Sequence, residues 1–185
     1  MPLAKSWVEE LVAQYYTLKG YVVGADIPIG SGKRGGRVDI DILALDPKKK
    51  EVYIVEVKAI WTGTAEDIAK SIIDTLRRAE EYFTREYGLN YKYIKRAVII
   101  SEPKRPKIDR IIALLRREGI GAIDLYNFIR DITNYIDEWR SEQKAKGLVK
   151  QNTKPALPET LHILKLLEYL KDSKVLNFES MNPGQ

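Results

Sequence analysis

Two short stretches of this chain carry residues whose types and spacing suit chemistry. Asp39 and Asp41 stand two apart in Val38-Asp39-Ile40-Asp41-Ile42. Glu56 and Lys58 stand two apart in Ile54-Val55-Glu56-Val57-Lys58. In an extended chain, residues two apart project from the same side. Each stretch therefore presents a pair of charges on one face. Three carboxylates and a lysine set among Ile, Val and Leu are costly to bury unless paired or bound to a cation. A hard divalent cation would relieve the repulsion. Mg²⁺ takes one or two carboxylates and completes its shell with water and phosphate oxygens. A lysine beside it can orient an attacking water or steady charge on a phosphate. The reaction this set can serve is attack of metal-activated water on phosphorus.

The elements that must position these residues follow from periodicity. Val8, Leu11, Val12, Tyr15 and Leu18 recur at helical spacing over residues 4–19, and Gly20 supplies a stop. Residues 21–29 predict a strand. Val38, Ile40 and Ile42 alternate with Arg37, Asp39 and Asp41, which predicts a strand over 38–45. Asp46-Pro47-Lys48-Lys49-Lys50 reads as a turn into a second strand over 51–59, giving an antiparallel hairpin. A helix follows over 65–87 with Ile68, Ile72, Leu76, Ala79 and Phe83 inward. A buried strand covers 97–100, a helix 106–118, a strand 120–124 and a helix 125–146. The expected fold is α/β, with a mixed sheet flanked by helices. The expected organisation is a domain over 1–146, a linker over 147–158, and a C-terminal helix (159–171) and tail to 185.

The motifs together resemble the PD-(D/E)XK nucleases. Asp41-Ile42-Leu43-Ala44, then Ile54-Val55-Glu56-Val57-Lys58, is similar to the core signature of that superfamily. Glu9, followed eleven residues later by Gly20-Tyr21 and a strand, resembles the spacing in archaeal Holliday-junction resolvases. The resemblance spans about residues 7–125 and implies a restriction-endonuclease-like αβββαβ core. It also implies roles: Asp41, Glu56 and the Val57 carbonyl as ligands of Mg²⁺ (or Mn²⁺), Lys58 on the water or phosphate, and Glu9 reaching the metal through water. Asp39 and Glu10 are the alternative or outer positions. Ile40 rather than Pro precedes Asp41, as in many members. The Gln-x-x-x-Tyr motif of RecB-like exonucleases does not follow Lys58. The implied activity is endonucleolytic hydrolysis of DNA, branched or junction DNA included. The alternative is a nuclease-like module that binds nucleic acid or protein without cutting. Many such enzymes are homodimers, and the C-terminal helix would suit a dimer contact.

Other features bear on partners. The net charge is +5. Residues 92–117 hold nine Lys/Arg against Glu102 and Asp109, a composition suited to a polyanion. Gly30-Ser31-Gly32-Lys33-Arg34-Gly35-Gly36-Arg37 is not a Walker loop, since Arg34 follows Lys33 and the upstream Gly is missing. Ser31, Lys33, Arg34 and Arg37 could contact DNA phosphates instead. Lys70, Arg77 and Arg78 are further candidates for the substrate side. Trp61 reads either as a base-stacking residue or as core. The absence of cysteine excludes disulfides, thiolate zinc sites and cysteine nucleophiles. His162, the sole histidine, has no partners for a zinc site or a triad. No apolar run approaches the ~20 residues of a membrane span, and a cytoplasmic protein is expected. The charged fraction of 31% without cysteine also fits a thermophilic source.

Overall fold

Ser6 fixes where the first helix starts. Its hydroxyl accepts from the Glu9 backbone N–H at 3.2 Å, and the Glu9 carboxylate accepts from the Ser6 N–H at 3.2 Å. This reciprocal pair is a capping box, which satisfies two otherwise orphan donors. Helix α1 accordingly runs Trp7–Leu18, and Gly20 (φ 85) turns the chain into the sheet. The computed structural model describes residues 6–30, 38–88, 90–101 and 105–176.

The protein is α/β, with a five-stranded mixed open sheet flanked by helices. Strands β1 (Val22–Ile29), β2 (Val38–Asp46), β3 (Glu51–Ile60), β4 (Lys92–Ser101) and β5 (Gly121–Asp124) stand in chain order. The first three pair antiparallel, and β3, β4 and β5 pair parallel. The turn between β2 and β3 is tied by Asp46, whose Oδ1 accepts from the Lys48 and Lys49 N–H groups at 2.9 and 3.1 Å. Parallel strands need a crossover, and α2 (Ala65–Tyr87) and α3 (Arg105–Arg117) supply the two. Thr64 caps α2 at its start, and Gly88 in the left-handed region (φ 58) closes it.

The main core lies between the sheet and these two crossover helices. Ile54, Ile72, Leu76, Ile99, Ile111 and Leu115 are at most 1% exposed and belong to one cluster. Each such side chain contributes about 1.5–3 kcal/mol by leaving water. α1 lies against β1 and β2. β4 is longer than the apolar run 97–100 suggests, because its polar first half is stitched in place. Lys95 bonds Glu80 of α2 at 2.6 Å, and the Arg96 guanidinium lies 6.0 Å from the Tyr53 ring centre.

The chain forms two compact units, Met1–Leu125 and Tyr126–Gln185. The division falls at the start of α4 (Leu125–Ala145), where the sequence pattern alone suggested a first domain reaching residue 146. Within the second unit, α4 is joined to α5 (His162–Asp172) by the ion pairs Arg140–Glu168 and Lys171–Asp137. The intervening segment is also anchored, since Arg140 Nε donates to the Pro155 carbonyl at 3.3 Å. No helix among the described residues is long and apolar enough to cross a membrane.

Candidate active site

The hairpin strands part where the charged residues stand. β2 and β3 are paired from Asp46↔Glu51 through Ile42↔Val55. One step further, that register would set Asp41 opposite Glu56. There the Val57 N–H donates instead to Asp41 Oδ2 at 2.6 Å. β3 meanwhile stays paired with β4 through Ile60↔Ser101. Glu56, Val57 and Lys58 are thus held on one side by a parallel ladder and face the opening of β2 on the other.

A local break in β1 and β2 accompanies this parting. Asp26 has φ 52, a left-handed conformation that an aspartate adopts more readily than most residues. It lies between the paired positions Ala25↔Ile42 and Ile27↔Ile40, and so opposite Asp41. Strict alternation would place Val38, Ile40 and Ile42 together on one face. Ile40 does join the core under α2 and α3, as Val38, Leu43 and Leu45 do at its edge. Ile42 and its partner Val55 are buried outside that cluster. The shared face expected for 38, 40 and 42 is therefore corrected: the phase shifts near Asp41. On β1, Gly24 leaves space for the Ile27 side chain, since a Cβ there would meet Ile27 Cδ1 at 3.0 Å.

Glu56 is the electrostatic centre of the site. It is 9% exposed, and its Oε2 finds no hydrogen-bond partner among the described residues. Burial, and next the Asp41 carboxylate, push its carboxyl up to about 8; Lys58 pulls it down, and Glu9 adds a smaller upward push. All four residues singled out by the sequence therefore share one electrostatic neighbourhood. Two elements bring three of them there, the strands β2 and β3, and the capping box of α1 holds Glu9. The outer candidates have other settings. Asp39 is half-buried at the Pro28↔Asp39 pair, and the buried Glu10 accepts from Gln14 Nε2 at 2.9 Å.

This donor set suits a divalent cation. A buried carboxylate oxygen without a donor, next to a second carboxylate, is the arrangement a hard cation relieves. Among the described residues, no three Asp, Glu, His or Cys side chains stand at ligand spacing. Two carboxylates with a backbone carbonyl and water suffice for Mg²⁺, which keeps much of its water. Asp41, Glu56 and the Val57 carbonyl would be the groups to hold it.

The other charged candidates are distributed differently. Ser31, Lys33, Arg34 and Arg37 lie outside the described residues. Gly30 and Val38, which bracket that loop, line a cavity of about 250 Å³ together with Arg78 and Arg85 of α2. Lys70 and Arg77 line a groove between α2 and α3, where Arg77 pairs with Glu118. Among the described residues, the basic side chains of the run 92–117 do not share a single face. Lys95 and Arg96 point to opposite faces of β4, Arg110 pairs with Glu66, and Arg116 donates to the Ala122 carbonyl at 3.5 Å. Among the described residues, Lys95 and Arg110 of this run are each paired with a carboxylate of α2. Trp61 is 76% exposed, which settles it as a surface residue. Asp26 went unnoticed in the sequence; an aspartate inside an apolar strand pattern was the available signal. Comparison with protein-family models, curated proteins and solved structures finds no match.

Proposed function

We propose that the chain is a metal-dependent nuclease that hydrolyses DNA phosphodiester bonds on a restriction-endonuclease-like core of the PD-(D/E)XK type. The observation that carries this reading is the buried Glu56 beside Asp41 and Lys58, at the point where β2 and β3 part. Asp41, Glu56 and the Val57 carbonyl would hold Mg²⁺, for which Mn²⁺ substitutes. The bound ion supplies an activated water and neutralises charge on the phosphate. The β3–β4 ladder holds Glu56 and Lys58 in fixed register. Lys58, half-buried beside Glu56, offers three donors to a phosphate oxygen or to the attacking water. Glu9 adds negative charge from the first turn of α1.

The reading extends to branched or junction DNA, on the resemblance of the Glu9 and Gly20-Tyr21 spacing, and to a cytoplasmic homodimer. Leu166 and Tyr169 of α5 are more than half exposed and offer apolar surface to a second copy. The test is cleavage of duplex, single-stranded, flap and four-way-junction DNA in Mn²⁺. Asp41→Ala, Glu56→Ala and Lys58→Ala are each expected to abolish cleavage while leaving DNA binding largely intact. Wild type that cuts none of these substrates, or variants that cut equally well, would overturn it.

A further inference from the structure

We propose that Trp61 is a stacking platform for an unpaired nucleobase beside the phosphate bound at this site, so that the preferred substrate has single-stranded character there. The position of the phosphate rests on the nuclease reading above.

A single exposed hydrophobic residue is ordinary. Trp61 differs in degree, in place and in support. At 76% it is the most exposed of the large hydrophobic side chains among the described residues. Its neighbour Ile60 is 8% exposed and belongs to the main core. The chain passes from core to full exposure in one residue, and the residue exposed there is the largest side chain available. An exposed indole forgoes the large burial gain that tryptophan offers. Trp61 stands three positions after Lys58, just past the end of β3, about 10 Å away along an extended chain. That is the reach of the next nucleotide along a bound strand.

The segment carrying the indole is short and held at both ends. Before it, β3 is locked to β4 through Ile60↔Ser101. After it, Gly63 turns at φ 94, and Thr64 caps α2 by accepting from the Asp67 N–H at 3.1 Å. An indole presented on an anchored turn loses little freedom when a flat partner stacks on it. Stacking needs a π-face and no particular base edge, so the contact selects unpaired bases without reading sequence. Bases inside a duplex are already stacked on one another and do not offer that face. A second exposed indole, Trp7 (59%), opens the helix that carries Glu9.

The test separates stacking from cleavage. A chain whose sole indole is Trp61 (Trp7→Phe and Trp139→Phe) is titrated in EDTA with an oligothymidylate and with an abasic deoxyribose-phosphate strand of equal length. The thymidylate is expected to quench Trp61 fluorescence and the abasic strand is not. In the native background, Trp61→Ala is expected to weaken thymidylate binding about five- to 100-fold and leave abasic binding unchanged. Trp61→Phe should retain most of the affinity. Equal binding of the two strands, or no loss in Trp61→Ala, would overturn the platform. The nuclease reading is judged separately, by cleavage in Mn²⁺. Absent cleavage with intact base-dependent quenching would overturn that reading and leave the platform standing.

Discussion

The Asp41 carboxylate occupies the position where a strand-to-strand bond would be expected: its Oδ2 accepts the Val57 N–H at 2.6 Å. The ladder between β2 and β3 ends one residue before, at Ile42↔Val55. A side chain thus satisfies a backbone donor at the place where the two strands separate. The same carboxylate raises the Glu56 carboxyl by its charge. Asp41 therefore has two roles that substitution can separate. Asp41→Asn keeps an oxygen acceptor and removes the charge. It is expected to fold with near-native stability and to lose cleavage. Asp41→Ala also strands the Val57 N–H and should cost about 1–3 kcal/mol more. Urea unfolding of both variants beside a cleavage assay checks this. Equal stability of the two would show that the hydrogen bond contributes nothing.

Glu56 makes stability depend on pH in a definite direction. Its carboxyl keeps its proton in the folded chain up to about 8, against an ordinary value of 4.5. The folded state therefore holds the proton through a window in which the unfolded chain has released it. Stability from this group is fully present below 4.5 and is lost as pH rises to 8. Glu56→Gln removes the titrating group. The melting temperature of Glu56→Gln should match wild type near the lower limit and exceed it increasingly toward the upper one. A constant difference across the window would contradict the burial argument.

The same proton competes with a metal ion. A carboxylate must be deprotonated to act as a ligand, so binding at Glu56 displaces the proton below pH 8. The apparent affinity for Mn²⁺, read by calorimetry or thermal shift, is expected to rise about tenfold per pH unit and to level off above 8. Lys58 lowers the Glu56 value, so Lys58→Met should move the plateau to higher pH. Affinity that does not depend on pH would place the ion elsewhere.

The parts of the site visible in the sequence are those that depend on residue type and regular spacing. Glu56 and Lys58 were legible because β3 keeps strict alternation, enforced by its long pairing with β4. α2 was legible because Ile68, Ile72, Leu76, Ala79 and Phe83 repeat at helical spacing under good caps. The phase shift in β2 was not legible. It is bound up with the left-handed Asp26 on the neighbouring strand, and no local pattern in β2 records a conformation in β1. The placement of the basic run was not legible for a related reason. Charges adjacent in sequence alternate across β4, and the partners of Lys95 on β4 and Arg110 on α3, Glu80 and Glu66, come from a different element, α2. The first half of β4 was missed because polar side chains conceal a strand whose backbone pairs with β3 well before its ladder with β5 begins at Arg96. The setting of Glu10 was hidden as well, since its bond to Gln14 lies within an otherwise apolar helix face.

Glu9 combines a structural contact with a charge, and the two can be tested apart. Its carboxylate closes the capping box with Ser6, and its charge raises the Glu56 carboxyl. Glutamine serves in a capping box as well as glutamate. Glu9→Gln should therefore keep the helix start and change stability by less than about 0.5 kcal/mol. If the charge matters to the bound ion, cleavage should fall about 10- to 100-fold, as for other outer partners of metal sites. Ser6→Ala is the complementary change. It removes the cap at a cost of about 0.5–2 kcal/mol and leaves the Glu9 charge in place. It should destabilise the protein and retain cleavage measured well below its melting point. If Ser6→Ala and Glu9→Gln lose cleavage alike, Glu9 acts by placing α1; if neither loses it, Glu9 lies outside the reaction.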